Sequence, residues 1–319
     1  MTTTLHWQQR VGSQRDWVWR GWQTRYTYLR PSHSAKGSTP LILLHGFGAS
    51  IGHWRHNLTV FSQSHPVYAL DMLGFGASEK AAANYNVKLW VAQVYDFWRT
   101  FVREPVVLIG NSIGSLVCLA AAAAHPDMVR GVVMMSLPDP SLEEEMIPPQ
   151  LRSLVATIKN LILSPLLLKS FFYWVRHPQK VRGWASIAYA NPEAITDELV
   201  DILAGPAQDR GSAQAFCAIL KAMTNSGFGP SVKSLLPNLN IPLLLIWGNK
   251  DRMIPKGLAR QFQQYNPTLE IVELANAGHC PHDECPEEVN PIILKWVGDR
   301  CQKSQLSNFT PLSLVSKSI

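Results

Sequence analysis

Charge is scarce in this 319-residue chain. Only 16% of the residues are Asp, Glu, Lys or Arg, against about 25% in an average soluble protein, so parts of the surface must be neutral or apolar. The charge that is present forms no blocks: 29 basic and 23 acidic side chains leave a scattered net +6. That pattern argues against a dedicated nucleic-acid binder and leaves room for a mild attraction to anionic lipid. Paired cysteines are missing too. Cys118, Cys217, Cys280, Cys285 and Cys301 form an odd set without paired spacing, and no apolar secretory leader opens the sequence. A reducing, cytosol-facing setting is expected. Nor is there an unbroken apolar run: the best stretch, 154–175, is interrupted by Lys159, Asn160, Ser164, Pro165 and Lys169. It falls short of the ~20 apolar residues that a bilayer span needs.

What the chain does have is core-forming material. With 46% hydrophobic residues, it can fold without disulfides or metal. The segment 16–29 reads as a two-stranded antiparallel ribbon turning near Gly21. Short apolar runs then recur at 41–44, 67–70, 106–109, 132–135, 243–247 and 271–274, each the length of a buried strand. Helix-period stretches such as 87–102 and 115–124 lie between them. Strands alternating with helices predict an α/β fold with a mostly parallel sheet covered on both faces. The alternation fails once, between residues 139 and 238, where Pro-bounded helical pieces predict a helical cap inserted into a core made of 1–138 and 239–302. Residues 303–319 are rich in Ser, Lys, Asn and Thr and read as a loose tail.

The strongest chemical signal is Gly110-Asn111-Ser112-Ile113-Gly114, set between a predicted strand and a predicted helix. Strand, Gly-x-Ser-x-Gly turn and helix form the context of a nucleophile elbow, with Ser112 raised at the carboxyl end of the sheet. A serine hydroxyl needs a base at neutral pH, and the base needs a carboxylate to orient it. Asp251 follows the run 243–247, and His279 follows 271–274, so the chain order Ser, Asp, His is the one this architecture uses. His282 with Asp283 is a nearby rival pair, and Asp251 also stands where it can cap a helix starting near Pro255. The loop His45-Gly46-Phe47-Gly48 is placed to supply a second oxyanion donor, the amide of Phe47, beside that of Ile113.

Two further groups have plainer readings. His279, Cys280, His282 and Cys285 suit zinc chemically, but structural zinc draws on two separated pairs, and a metal would stop His279 acting as a base. No metal and no cofactor are therefore expected. Asp71 precedes a glycine-rich turn with no helix to cradle a phosphate, which makes it structural.

These residues resemble the α/β-hydrolase superfamily from the first ribbon to the helix near Cys301. Within it, HGFGAS (45–50) with Trp54, DMLGFGAS (71–78), GNSIGS (110–115), AGPA (204–207) and GHCP (278–281) look like the chlorophyll dephytylases of photosynthetic organisms, relatives of pheophytinase. The resemblance implies hydrolysis of a phytyl ester of chlorophyll or pheophytin, with Ser112, Asp251 and His279 as triad and Phe47 and Ile113 as oxyanion amides. It also implies a peripheral, thylakoid-associated protein on the cytoplasmic side. No Arg- and Ser-rich transit segment precedes the fold, which points to a cyanobacterial source.

A phytyl tail of about twenty carbons, at about 0.8 kcal/mol per buried carbon, gains much on leaving water and almost nothing on leaving a membrane. Such an enzyme must collect its substrate at a membrane surface. The cap stretch 151–174, with Leu161, Leu166, Leu167, Phe171 and Phe172, suits a tail pocket or an interfacial helix pair. The N-terminal Trp7, Trp17, Trp19 and Trp22, interleaved with arginines, resemble an interfacial belt, but indoles along a ribbon fit packing on the sheet edge better. The rival functions are a carboxylesterase or carbon–carbon bond hydrolase on another apolar substrate, and a non-catalytic ligand-binding protein of the same fold. Epoxide hydrolases use a carboxylate nucleophile, and position 112 is Ser. Oligomeric state is not legible.

Overall fold

The computed structural model describes residues 6–32, 38–141, 164–225 and 227–302. Eight strands form one sheet in the order β1-β2-β4-β3-β5-β6-β7-β8. They are β1 (Gln14–Trp19), β2 (Trp22–Leu29), β3 (Leu41–Leu44), β4 (Val67–Leu70), β5 (Val106–Asn111), β6 (Val129–Met135), β7 (Leu243–Gly248) and β8 (Glu270–Leu274). The ribbon β1–β2 joins β4 antiparallel, and the pairings from β4 through β3, β5, β6 and β7 to β8 are parallel.

The central strands are apolar throughout because both faces are covered. Ile42, Leu44 and Leu108 belong to one core layer, while Leu41, Leu43, Val107 and Ile109 belong to the other, as the two-residue side-chain period requires. The first layer is closed by helices α1 (Val87–Phe97) and α2 (Ile113–Ala124). Leu116, Val117 and Leu119 of α2 are fully buried, each contributing about 1.5–3 kcal/mol at most. The periodic stretch 87–102 is not one regular helix: α1 gives way to a π-turn at Trp98–Val102, which ends on Arg103 in the left-handed region. Helix α8 (Pro286–Arg300) covers the opposite face.

Among the described residues, four α-helices of eight residues or more lie between β6 and β7: α3 (Pro165–Val175), α4 (Pro178–Ala188), α5 (Asp197–Ala204) and α6 (Ser212–Met223). A small core of Ala185, Tyr189, Ile195, Leu199 and Val200 takes in Cys280 from beyond β8, while Ala215 and Ile219 of α6 join the main core. These helices are thus seated on the sheet at two places. Helix α7 (Gly257–Tyr265) completes the α-helices of eight residues or more among the described residues. Among the described residues no helix is long and apolar enough to cross a membrane. The N-terminal indoles pack rather than protrude: Trp19 is buried, and Trp7, Trp17 and Trp22 lie partly buried against the two core layers. Leu161 and the tail 303–319 lie outside the described residues.

Candidate active site

Parallel strands deliver their following loops to one edge of the sheet, where α/β proteins place their ligands. Ser112 follows β5 directly with φ +54°, ψ −123°, a conformation an L-residue adopts only under constraint. The constraint is steric closeness of strand and helix. A side chain at Gly110 would strike the Gly114 backbone, and one at Gly114 would strike the Leu44 carbonyl. The turn is held by the Ser112 amide donating to the Met135 carbonyl at 2.8 Å. Ser115 adds a hydroxyl that donates to the Gly110 carbonyl at 2.8 Å.

Asp251, three residues past β7, and His279, five past β8, meet: His279 Nδ1 lies 2.9 Å from Asp251 Oδ2. The other carboxylate oxygen accepts from the amides of Met253 at 2.8 Å and Ile254 at 3.0 Å, so orienting and capping roles coexist in one side chain. Burial pushes this carboxyl up, but the hydrogen bond and charge of His279 and the two amides outweigh it and hold Asp251 below its ordinary value. A depressed folded-state pKa contributes stability that is complete above the ordinary carboxylate range and is lost as pH falls through the lowered value. Asp251→Asn is therefore expected to flatten that part of the acid-unfolding curve; an unchanged acid limb in a pH series of denaturant melts would contradict it.

Asp251 and His279 are joined directly, whereas Ser112 is tied to His279 through its neighbour: Asn111 Nδ2 donates to the His279 carbonyl at 2.9 Å. The His279 amide donates to the carbonyl of Ala188, the last residue of α4, at 2.7 Å. The loop bearing His279 is thus gripped by Asn111 at the end of β5 on one side and by Ala188 at the end of α4 on the other.

The loop His45-Gly46-Phe47-Gly48 has its own brace. His45 Nδ1 is 2.7 Å from the Gly46 carbonyl, while His45 Nε2 accepts from the Met72 amide at 3.1 Å. This pair fixes a neutral ring protonated at Nδ1, in keeping with burial pulling its pKa down to about 4. Because the trans peptide sets C=O and N–H on opposite sides, anchoring the Gly46 oxygen turns the Phe47 N–H away from His45. Gly46 also lies against Ser112, since a Cβ there would come within 3.4 Å of the Ser112 Cβ. The sequence singles out the amide of Phe47 but not the ring that aims it. His45→Ala is expected to lower kcat by ~10²-fold with little change in KM, the scale of effect that follows a misplacement of about 1 Å; an unaltered kcat would show that the loop holds its shape unaided.

Beyond the reacting edge lies a buried polar network that the sequence did not show. Arg55 Nη1 donates to Asp283 Oδ1 at 2.6 Å, and Arg55 Nε donates to Glu198 Oε1 at 2.8 Å. The Tyr189 hydroxyl donates to Asp283 Oδ2 at 2.6 Å and lies 2.7 Å from His53 Nε2. Glu284 accepts from the amides of Gly278 and Asn191. Tyr189, Asn191 and Glu198 come from the helical stretch between β6 and β7, so the network pins that stretch to the loops next to His279. The rival pair His282 and Asp283 belongs here: Asp283 serves Arg55 and Tyr189, and the His282 ring packs between His53 and Trp54.

The other residues that the sequence singles out are scattered. Asp71 accepts from the amides of Ile51 at 2.7 Å and Ala77 at 2.7 Å, pinning two loops; burial pushes its pKa up to about 6. Cys280 Sγ lies 3.8 Å from Asn111 Oδ1. Of the tail-pocket residues, Phe172 is buried beside Phe216 with ring centroids 5.1 Å apart. Phe216 in turn lies 5.8 Å from Phe47. Leu166, Leu167 and Phe171 are exposed on the outer side of α3.

The chain belongs to the α/β-hydrolase fold family, whose model matches residues 39–286. Pheophytinase from chloroplasts of Arabidopsis thaliana is 24% identical over 302 residues, which cover 81% of this chain and 60% of that protein. The chain thus spans less than two thirds of that relative. Epoxide hydrolase 3 of Xenopus tropicalis is 29% identical over 262 residues, covering 79% of this chain and 70% of the relative. Among solved structures, a serine hydrolase involved in carbazole degradation superposes with a TM-score of 0.73 at 21% identity, covering 90% of this chain and 99% of the other. That likeness establishes the shared fold.

Proposed function

We propose that this protein is a serine ester hydrolase that removes phytol from a chlorophyll-type pigment. The observation that carries the ester-hydrolase reading is the constrained Ser112 at the carboxyl edge of the sheet, whose neighbour Asn111 holds the carbonyl of a His279 that lies 2.9 Å from Asp251. Ser112 Oγ attacks the ester carbonyl while His279 takes its proton, and the amides of Phe47 and Ile113 hold the oxyanion. Collapse expels phytol, which leaves with the proton from His279, and the pigment's acyl group stays on Ser112. Water, deprotonated by His279, then releases the acid and restores the hydroxyl. No step calls on a metal or cofactor.

The phytyl part of the reading draws on the similarity to pheophytinase and on the ring contacts from Phe47 through Phe216 to Phe172, a suitable wall for a branched isoprenoid chain. Purified protein incubated with chlorophyll a and pheophytin a in detergent micelles tests it. Release of phytol and the matching acid, separated by reversed-phase chromatography, is expected. Cleavage of a short p-nitrophenyl ester without either pigment being touched would keep the esterase chemistry and overturn the substrate.

A further inference from the structure

Among the described residues, ten large apolar side chains are exposed, and seven of them fall between residues 166 and 187. Leu166 is 80% exposed, Leu167 55%, Trp174 51% and Trp184 48%, a density of unburied apolar surface that a soluble monomer seldom carries without using it. The spacing is helical. Leu168 and Phe172 face inward and are buried, while Leu167, Phe171 and Trp174 form the outward stripe of α3, continued by Trp184 and Ile187 of α4.

Charge on this pair of helices has one sign. Residues 165–188 contain no Asp or Glu but carry Lys169, Arg176, Lys180 and Arg182. Arg182 is neutralised by Asp197. Arg176 lies 4.7 Å over the Tyr173 ring and Lys180 4.6 Å over the Trp174 ring, so cations sit beside the exposed aromatics. Indole and phenol rings flanked by cations suit the boundary between anionic headgroups and acyl chains.

We propose that the outer face of α3 and α4 is a docking surface for an anionic lipid bilayer. The partner is chosen by charge complementarity: a neutral apolar partner would leave the cations unpaired, and a cationic one would be repelled. The surface also connects to the site, because Phe171, exposed on this face, lies 6.3 Å from Phe216, which in turn packs on Phe47. The proposal deepens the phytyl-ester reading by naming where a lipid-dissolved substrate enters, and that route rests on it; the binding itself is measurable without turnover.

The test is co-sedimentation of the full chain with vesicles of phosphatidylglycerol or of phosphatidylcholine at low and high salt. Binding to phosphatidylglycerol that salt weakens, with much weaker binding to phosphatidylcholine, is expected. Trp174→Glu/Trp184→Glu should lose vesicle binding, and Arg176→Gln/Lys180→Gln should lose about tenfold or more on phosphatidylglycerol, while both keep wild-type turnover of a short soluble ester. Wild-type protein that ignores anionic vesicles, or variants that bind as wild type does, would overturn the proposal. So would a dimer that Trp174→Glu/Trp184→Glu splits while no form binds vesicles, since the face would then join two copies. Vesicle binding without pigment hydrolysis would sink the substrate reading alone.

Discussion

Replacing Ser112 with Ala is expected to abolish phytol release, with a fall in turnover on the order of 10³-fold or more, while the protein folds as before. The magnitude follows from the covalent role proposed for Ser112: without Oγ no acyl-enzyme can form, and only the proposed oxyanion amides and substrate binding would remain to favour direct attack by water. The fold survives because the turn depends on the closeness of Gly110 and Gly114 to their neighbours and on the Ser112 amide, which an alanine retains. Circular dichroism and a melt on the same sample separate loss of chemistry from loss of structure. A variant that folds and keeps most of its turnover would remove Ser112 from the mechanism.

Arg55→Met is expected to cost about 3–5 kcal/mol of stability, the usual penalty for leaving one member of a buried ion pair alone. Arg55 is 2% exposed and its partner Asp283 fully enclosed, so no water can replace the guanidinium. Burial already raises the Asp283 carboxyl above its ordinary range despite the opposing charge of Arg55, and removing that charge raises it further. A group whose folded pKa lies above its unfolded value gives stability that is fully present below the unfolded pKa and lost as pH rises through the folded one. The deficit of the variant should therefore widen from mildly acidic to neutral pH. Urea midpoints compared across that range measure it, and a penalty that is absent, or independent of pH, would contradict the assignment. Because the Tyr189 hydroxyl shares Asp283 and the neighbouring Ala188 carbonyl holds the His279 amide, kcat should fall along with stability.

The sheet and its reacting edge were legible because local rules govern them. Runs such as 106–109 and 243–247 are wholly apolar because those strands are covered on both faces, and the residue just past each run then lies at the carboxyl edge. Ser112, Asp251 and His279 stood out for that reason, and their order added a second constraint. The weaker signal was 271–274, where only Leu274 of the apolar run is buried, as an edge strand allows. What stayed hidden depends on long-range contact. Arg55 and Asp283 are 228 positions apart and Tyr189 and His53 136 apart, with no periodicity to link them. The brace supplied by His45 was invisible because it depends on which ring nitrogen meets the Gly46 carbonyl. The π-turn after α1 was hidden for a different reason: its apolar spacing is close enough to that of an α-helix to pass for one.

The claim on which the account turns is that Ser112 is a nucleophile activated by His279. The most direct measurement treats the native protein with a phosphonate ester that reacts covalently with activated serines, then maps the adduct by peptide mass spectrometry. The expected result is a single adduct on Ser112, absent from Ser112→Ala and slowed in His279→Ala. Folded wild-type protein that takes no label, or takes it on a serine other than Ser112, would contradict the account.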